Sequence, residues 1–254
     1  MAYIILGYTL IFTIIWGEAV DKVIKKNPVL LDFRKKNWHK PNIGYIHTMK
    51  HYIALDVETG GIGDDKSLLT AYFAFIRRYD NGDMVKLDEL DLKIKPNDDI
   101  YRVTAESLEI NQIDLKQHNK GAITEKQAGT KLYDKLRIWY TDSKDKLIPI
   151  GHNVAFDIRR VTNTLVNTGS WEQFVSYRVL DTCTIAQFLR LRGDLPNDLS
   201  CSLVKLVEHF NIEMDGLPHE AKYDTLCTVK VLENLLKIRW LFQNVMYSYQ
   251  CKET

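Results

Sequence analysis

Residues 51–61 read His51-Tyr52-Ile53-Ala54-Leu55-Asp56-Val57-Glu58-Thr59-Gly60-Gly61. The run Tyr52-Ile53-Ala54-Leu55 suits a strand, and it leads into two carboxylates one residue apart. Side chains two positions apart on a strand share a face, so Asp56 and Glu58 project together. Neighbouring like charges repel, and a cation between them relieves the repulsion. The glycines that follow let backbone, or something bound, approach closely. Taken alone, the stretch equally describes an edge strand with two solvated acids and a turn, so the rest of the chain has to decide.

The chain has 254 residues, enough for one domain of roughly 200 residues and an appendage. Hydrophobic content of 45% and charged content of 26% are those of an ordinary globular protein. The net charge of +1 is unevenly spread: residues 21–50 carry +6 and Glu18 carries −1, which leaves −4 for residues 51–254. A slightly acidic main domain argues against a protein that coats nucleic acid by charge alone. It suits a site that gathers carboxylates around a divalent metal. Cys183, Cys201, Cys227 and Cys251 are widely spaced, without a C-x-x-C pair, and read as free thiols in a reducing compartment.

The first 17 residues, MAYIILGYTLIFTIIWG, are almost wholly apolar. No basic region precedes them and no small-residue cleavage site follows, which argues against a cleaved signal peptide. The run sits at the short end of what a spanning helix needs. Three readings stay open for residues 1–20. They are a membrane anchor with the catalytic domain on the cytoplasmic side, a helix packed on the main domain or a partner, or an extension upstream of a start at Met49. Residues 21–48 read as a basic linker broken by Pro28 and Pro41, either solvated or in contact with anionic lipid or nucleic acid.

A domain over residues 49–245 follows. Strands are expected over 51–57, 68–78 and 85–95, with a hairpin signal at Asn81-Gly82, so the first three strands form an antiparallel meander. Residues 103–111 read as a short helix. Residues 124–140 read as a longer one, with Ala128, Leu132, Leu136 and Trp139 on one face. A strand at 147–151, a helix from about Val154, a small insert at 171–177 and a minimal strand at Val179-Leu180 come next. Asp181-Thr182 then opens a helix, and residues 203–210 and 221–240 give the last two. This order fits an α/β fold with a mixed five-stranded sheet flanked by helices.

Two further segments carry polar chemistry. Gly151-His152-Asn153-Val154-Ala155-Phe156-Asp157 runs from a strand end into a helix, and ligands gather at such strand ends in open α/β sheets. Asn153 can cap the helix or bind a nucleotide, Phe156 can stack on a base or fill core, and Asp157 can answer the helix dipole. His219-Glu220-Ala221-Lys222-Tyr223-Asp224 leaves a loop marked by Gly216 and Pro218. It sets Asp224 on a helix and His219 on the freer chain before it, where a general base has room to move.

Together, D-x-E, G-H-N-x-x-F-D and H-x-x-x-x-D in this order resemble the DEDD superfamily of 3′–5′ exonucleases, in its DEDDh branch with a histidine base. The likeness is to the proofreading (epsilon) subunit of bacterial replicative DNA polymerase and its phage relatives, and it covers residues 49–240. The resemblance implies a ribonuclease H-like fold. It implies two Mg²⁺ or Mn²⁺ ions held by Asp56, Glu58, Asp157 and Asp224, with His219 as base. It implies contact of Thr59, Gly60, Asn153 and Phe156 with the terminal nucleotide of a single-stranded DNA 3′ end. Gly60 stands where the family usually has Thr, so no side-chain contact is expected there. Asp181 recurs in the family as a structural residue and is not counted as a ligand. Arg159, Arg160 and Lys222 are the basic residues nearest the site in sequence and are expected to grip the strand. A DNA polymerase partner and a role in replication proofreading accompany the resemblance.

Two alternatives are carried with it. RNA or oligoribonucleotides fit the same five residues, because the motifs do not encode how the pocket meets a 2′-hydroxyl. A catalytically inactive nucleic-acid-binding module fits less well, since all four carboxylates and the histidine are present. A dinucleotide-binding domain suggested by Gly61-Ile62-Gly63 fails at Lys66 and at the meander.

Overall fold

A computed structural model describes residues 51–79, 82–140 and 145–238. The segments 1–20 and 21–48, Asn81 of the hairpin signal and the end of the 49–245 domain lie outside the described residues.

The strands are β1 (His51–Thr59), β2 (Leu68–Arg78), β3 (Met84–Lys95), β4 (Ile123–Thr124), β5 (Ile148–Gly151) and β6 (Leu180–Asp181). They form a six-stranded sheet in the order β4-β3-β2-β1-β5-β6. The first three run antiparallel as a meander, and β5 and β6 run parallel to β1 on its other side. Gly82, with φ +95°, donates to Tyr79 O at 2.9 Å inside the β2–β3 turn. That conformation is one glycine adopts without strain.

Alternation along β1 sorts the two faces. Ile53, Leu55 and Val57 point into a core shared with Phe73 and Phe75 of β2 and Leu92 and Ile94 of β3. Helices α3 (Glu125–Trp139), α4 (Ala155–Thr164) and α5 (Thr168–Phe174) cover that face. Ala54 points the other way, with Tyr72, Ala74 and Ile76, under Ala221, Val229 and Leu232 of α8 (Ala221–Lys237). A third cluster joins α6 (Thr182–Leu191) and α7 (Leu203–His209) to α8 through Cys183, Ala186, Leu206 and Val231. Covered on both sides by helices, β1 is apolar at consecutive positions until the chain reaches its carboxylates.

Three features differ from the sequence expectation. The sheet gains a sixth strand because Ile123 and Thr124 pair with Ile94 and Lys95, too short a contact to leave a periodic signal. Residues 105–111 form α1 (Ala105–Asn111), and an unexpected α2 (Leu115–Gly121) follows it. The polar sequence of α2, LKQHNKG, carries no apolar stripe, and its start is fixed by Asp114, whose side chain accepts from Lys116 N and Gln117 N. The insert near 171–177 is α5 itself, capped by Asn167. The longer helix keeps its expected face, with Ala128, Leu132 and Leu136 buried and a capping box from Thr124 and Gln127. Its last member, Trp139, is half-buried, stacks on Phe75 at 5.3 Å and donates to Asp88. No helix among the described residues is long and apolar enough to cross a membrane.

Helices α3 and α4 meet at Gly129, where an added Cβ would lie 2.1 Å from Leu165 O. Backbone cannot yield there, so Gly129→Ala should destabilise the protein by about 1–3 kcal/mol in urea denaturation. An unchanged midpoint would show that the two helices do not approach so closely.

Candidate active site

The β1–β5 ladder runs from Tyr52/Ile148 to Ala54/Ile150 and stops. Beyond it the two strands part, and the first turn of α4 enters the gap. Asp157, 4% exposed, accepts a hydrogen bond there from Val57 N at 3.2 Å, an amide the ladder no longer uses. From the α8 face, Asp224 approaches the same end of β1. Carboxylate oxygens of Asp56, Glu58 and Asp224 lie within 4.8 Å of one another. Asp157 stands beside this trio, near enough to press on the charges of Asp56 and Glu58.

Electrostatics mark the cluster as crowded with buried acids. Burial, then the charges of Asp157, Glu58 and Asp224, push Asp56 well above the usual carboxylate range. Burial and the charges of Asp224 and Asp157 push Glu58 up to about 8. Burial also raises Asp157 to about 8, although the Val57 amide works in the opposite sense. Asp224 is raised by burial and partly relieved by His219. The charges that act most strongly on Asp56 and Glu58 are other acids, and no soft donor stands among them. This donor set fits hard divalent cations bound through oxygen.

His219 lies on the exposed turn before α8, in the left-handed region at φ +66°. Its main-chain N–H donates to Asp224 Oδ2 at 3.2 Å, so the loop that carries the imidazole is pinned to an acid of the cluster. The five-residue offset is bridged by backbone, leaving the ring free of the helix.

The other expected contacts fall into place unequally. Thr59 turns its hydroxyl inward to Gly61 O at 2.8 Å. Gly60 is buried, and an added Cβ would lie 2.4 Å from Arg102 O. The space its missing side chain leaves is therefore filled by the chain at Arg102 and Val103. Asn153 is exposed with φ +60°, and Phe156 is half-buried against the core with Arg159 above its ring. Asp181 is structural as expected: it accepts from Val154 N at 2.8 Å and caps α6 through Thr184 N.

Two basic residues expected to grip a strand are committed elsewhere. Arg160 is buried and donates to the carbonyls of Gly63, Asp64 and Lys66, tying down the loop after β1. Lys222 pairs with Glu89 at 3.1 Å. Arg159 stays half-exposed, 3.4 Å from Asp64.

Sequence reasoning missed a groove of about 480 Å³ that opens from Glu58 and His219 across Thr70 and Lys93 towards Asn111 and Gln117. Asn111 is nearly buried and donates to Thr59 O at 3.3 Å. The signal for these residues was register: Thr70 lies across from Glu58, and Lys93 from Thr70. That pairing is not visible along a single chain.

No family model matches the chain. Ribonuclease T of Haemophilus influenzae (strain Rd) is 30% identical over 183 residues, which is 70% of this chain and 76% of that protein. Ribonuclease T of Histophilus somni is 27% identical over 183 residues, 70% of this chain and 80% of that one. Among solved structures, E. coli Exonuclease I in complex with a dT13 oligonucleotide superposes with a TM-score of 0.56 at 20% identity, over 79% of this chain and 43% of that one. A moderately thermophilic Exonuclease I from Methylocaldum szegediense gives 0.57 at 18% identity, over 75% and 41%. The chain thus spans less than half the length of the exonuclease I chains it matches. The likeness to them shows the fold, the ribonuclease H-like α/β sheet flanked by helices.

A carboxyl whose folded pKa lies above its unfolded value adds stability below the unfolded value, near 4, and loses it as pH rises through the folded one. In EDTA, Asp56→Asn should therefore melt above the parent protein at pH 8, and the gap should narrow steadily towards pH 4. A gap that stays constant, or widens on acidification, would contradict the crowding of charge described here.

Proposed function

Because the chain belongs to the DEDD exonuclease superfamily, alongside its Ribonuclease T relatives, and is thereby a 3′–5′ exonuclease of the hydrolase class, we propose that Asp56, Glu58, Asp157, Asp224 and His219 are its catalytic residues. They would remove nucleotides one at a time from single-stranded 3′ ends. The observation that carries the reading is the convergence of Asp56, Glu58 and Asp224 within 4.8 Å, at a strand end where Asp157 also arrives.

In this reading the four carboxylates hold divalent cations, Mg²⁺ or Mn²⁺ and two per site, which make water more acidic and offset charge building on the phosphate. Asp56 and Glu58 are fixed by β1, which is paired with β2 and β5, and Asp157 by its bond to Val57 N. Rigid placement of this kind is what a charged transition state requires. His219 takes the proton of the attacking water, a task suited to an imidazole near neutral pH. The oxygen of that water joins phosphorus, the bond to the 3′ oxygen breaks, that oxygen takes a proton from solvent to become the new 3′-hydroxyl of the shortened strand, and a nucleoside 5′-monophosphate leaves. Thr59, Asn153 and Phe156 are the proposed seat of the terminal nucleotide, with the backbone at Gly60.

DNA 3′ ends are the first reading, on the Asp-Val-Glu-Thr-Gly-Gly form of the first motif and the long meander. Proofreading or repair is the role that reading suggests. A second reading, RNA 3′ ends, is favoured by the name its sequence relatives carry, Ribonuclease T. A polymerase partner and membrane contact through residues 1–20 form no part of the proposal.

The test is digestion of matched single-stranded DNA and RNA, labelled at the 5′ end, with Mn²⁺ or with EDTA. Shortening from the 3′ end, with Mn²⁺ alone, is expected on at least one of the two, and the faster one names the substrate. Asp224→Ala should abolish it, and His219→Ala should slow it by roughly 10²–10⁴. Wild-type turnover in His219→Ala would remove that residue from the mechanism.

A further inference from the structure

Glu89 of β3 gathers donors from three elements. Tyr72 of β2 donates its hydroxyl to Glu89 Oε2 at 2.6 Å, Lys86 of β3 donates to the same oxygen, and Lys222 Nζ of α8 donates to Oε1 at 3.1 Å. Tyr72 is fully buried and stands directly across the β1–β2 ladder from Asp56. Lys222 Nζ lies 5.4 Å from the centre of its ring. The bonds from Lys86 and Tyr72 hold the Glu89 carboxyl down at about 2, so it is ionised at neutral pH.

Lys222 sits at the start of α8, beside the buried Ala221. No side chain caps the N-terminus of α8, yet its first turn carries Asp224, and the turn before it carries His219. At its other end the same helix is bound to the same strand, where Met84 N donates to the buried Glu233 Oε1 at 2.8 Å. The helix is thus tied to β3 at two points, through Lys222 near its start and Glu233 near its end.

We propose that Glu89, Tyr72 and Lys222 form a positioning network that sets the register of α8 on the sheet and so holds Asp224 and His219 against Asp56 and Glu58. The proposal rests on the reading of those four residues as part of the catalytic centre. Lys222 acts through Asp224 and does not touch the strand. An exposed ion pair adds little to stability, so the effect belongs in metal affinity and turnover and not in melting temperature. Partners one step behind metal ligands commonly matter at the level of 10–100-fold.

The experiment uses the full chain and the variants Glu89→Gln, Lys222→Met, Lys222→Arg, the double variant Glu89→Gln/Lys222→Met, and Lys135→Met as a control ion pair with Asp88 on the opposite face. Titration calorimetry with Mn²⁺ alone, melting temperature, and kcat and KM on a single-stranded oligonucleotide at several salt concentrations are measured. Glu89→Gln and Lys222→Met should each weaken Mn²⁺ binding and lower kcat by about tenfold, with KM, its salt dependence and melting temperature little changed. The double variant should be no worse than either single one, Lys222→Arg should recover most of the loss, and Lys135→Met should behave as the parent. Raised KM with a flatter salt dependence in Lys222→Met, and no effect of Glu89→Gln, would overturn the proposal and make Lys222 a strand contact. Unchanged Mn²⁺ affinity and kcat in both would overturn it as well. If the parent binds Mn²⁺ but cuts neither DNA nor RNA, the exonuclease reading fails, and the calorimetry still decides the positioning role.

Discussion

The burial of several carboxylates together at the end of β1 is the constraint on which the rest of this structure turns. Asp56, Glu58, Asp157 and Asp224 are all raised above their ordinary pKa by burial, and in Asp56 and Glu58 the charges of the neighbouring acids add to it. A fold gains nothing in stability from such a group of acids. The arrangement persists because the surrounding elements are strong enough to impose it. β1 is locked between β2 and β5, its odd side chains fill the larger core, and α8 seals the other face over Ala54. The stored repulsion is then available to a divalent cation as binding energy.

The architecture delivers each acid by a different route, and the routes explain why the motifs are spaced as they are. Asp56 and Glu58 arrive by strand alternation. Asp157 arrives because β5 stops pairing with β1 after Ala54, which frees the Val57 amide and opens room for the first turn of α4. Asp224 arrives on a helix from late in the chain, which packs over Ala54 and Tyr72 and is tied to β3 through Lys222 and Glu233. Asp181 supports the second route from outside the centre, by holding the turn at Val154. A ribonuclease H-like sheet serves this purpose because its central strand faces helices on both sides and still ends beside an open groove.

Much of this was legible in the sequence. The meander, the amphipathic helix with Ala128, Leu132 and Leu136 inward, and the three acidic motifs carry local patterns that survive into the fold. Other features leave no local pattern. α2 has no apolar stripe and depends on the cap at Asp114, and β4 is two residues laid against a distant strand. Arg160 looked like a strand-gripping cation and is a buried clamp for three carbonyls, because charge can be read along a chain and burial cannot. Gly60 reads as a place where backbone or a bound group comes close, and the backbone that comes close to it, at Arg102 O, cannot be seen along the chain. Lys222 and Glu89 stand 133 positions apart, and only the packing of α8 on the sheet brings them together.

The account's central claim is that divalent cations relieve this crowded charge, and proton release on binding measures it most directly. Calorimetric titration with Mn²⁺ at pH 7, repeated in buffers of different ionisation enthalpy, counts the protons expelled. With Glu58 and Asp157 near 8, protonated carboxyls must give up protons as the ion enters, so net release is expected at pH 7, falling as the pH is raised to 9. Binding without proton release at pH 7, or no binding at all, would contradict the claim.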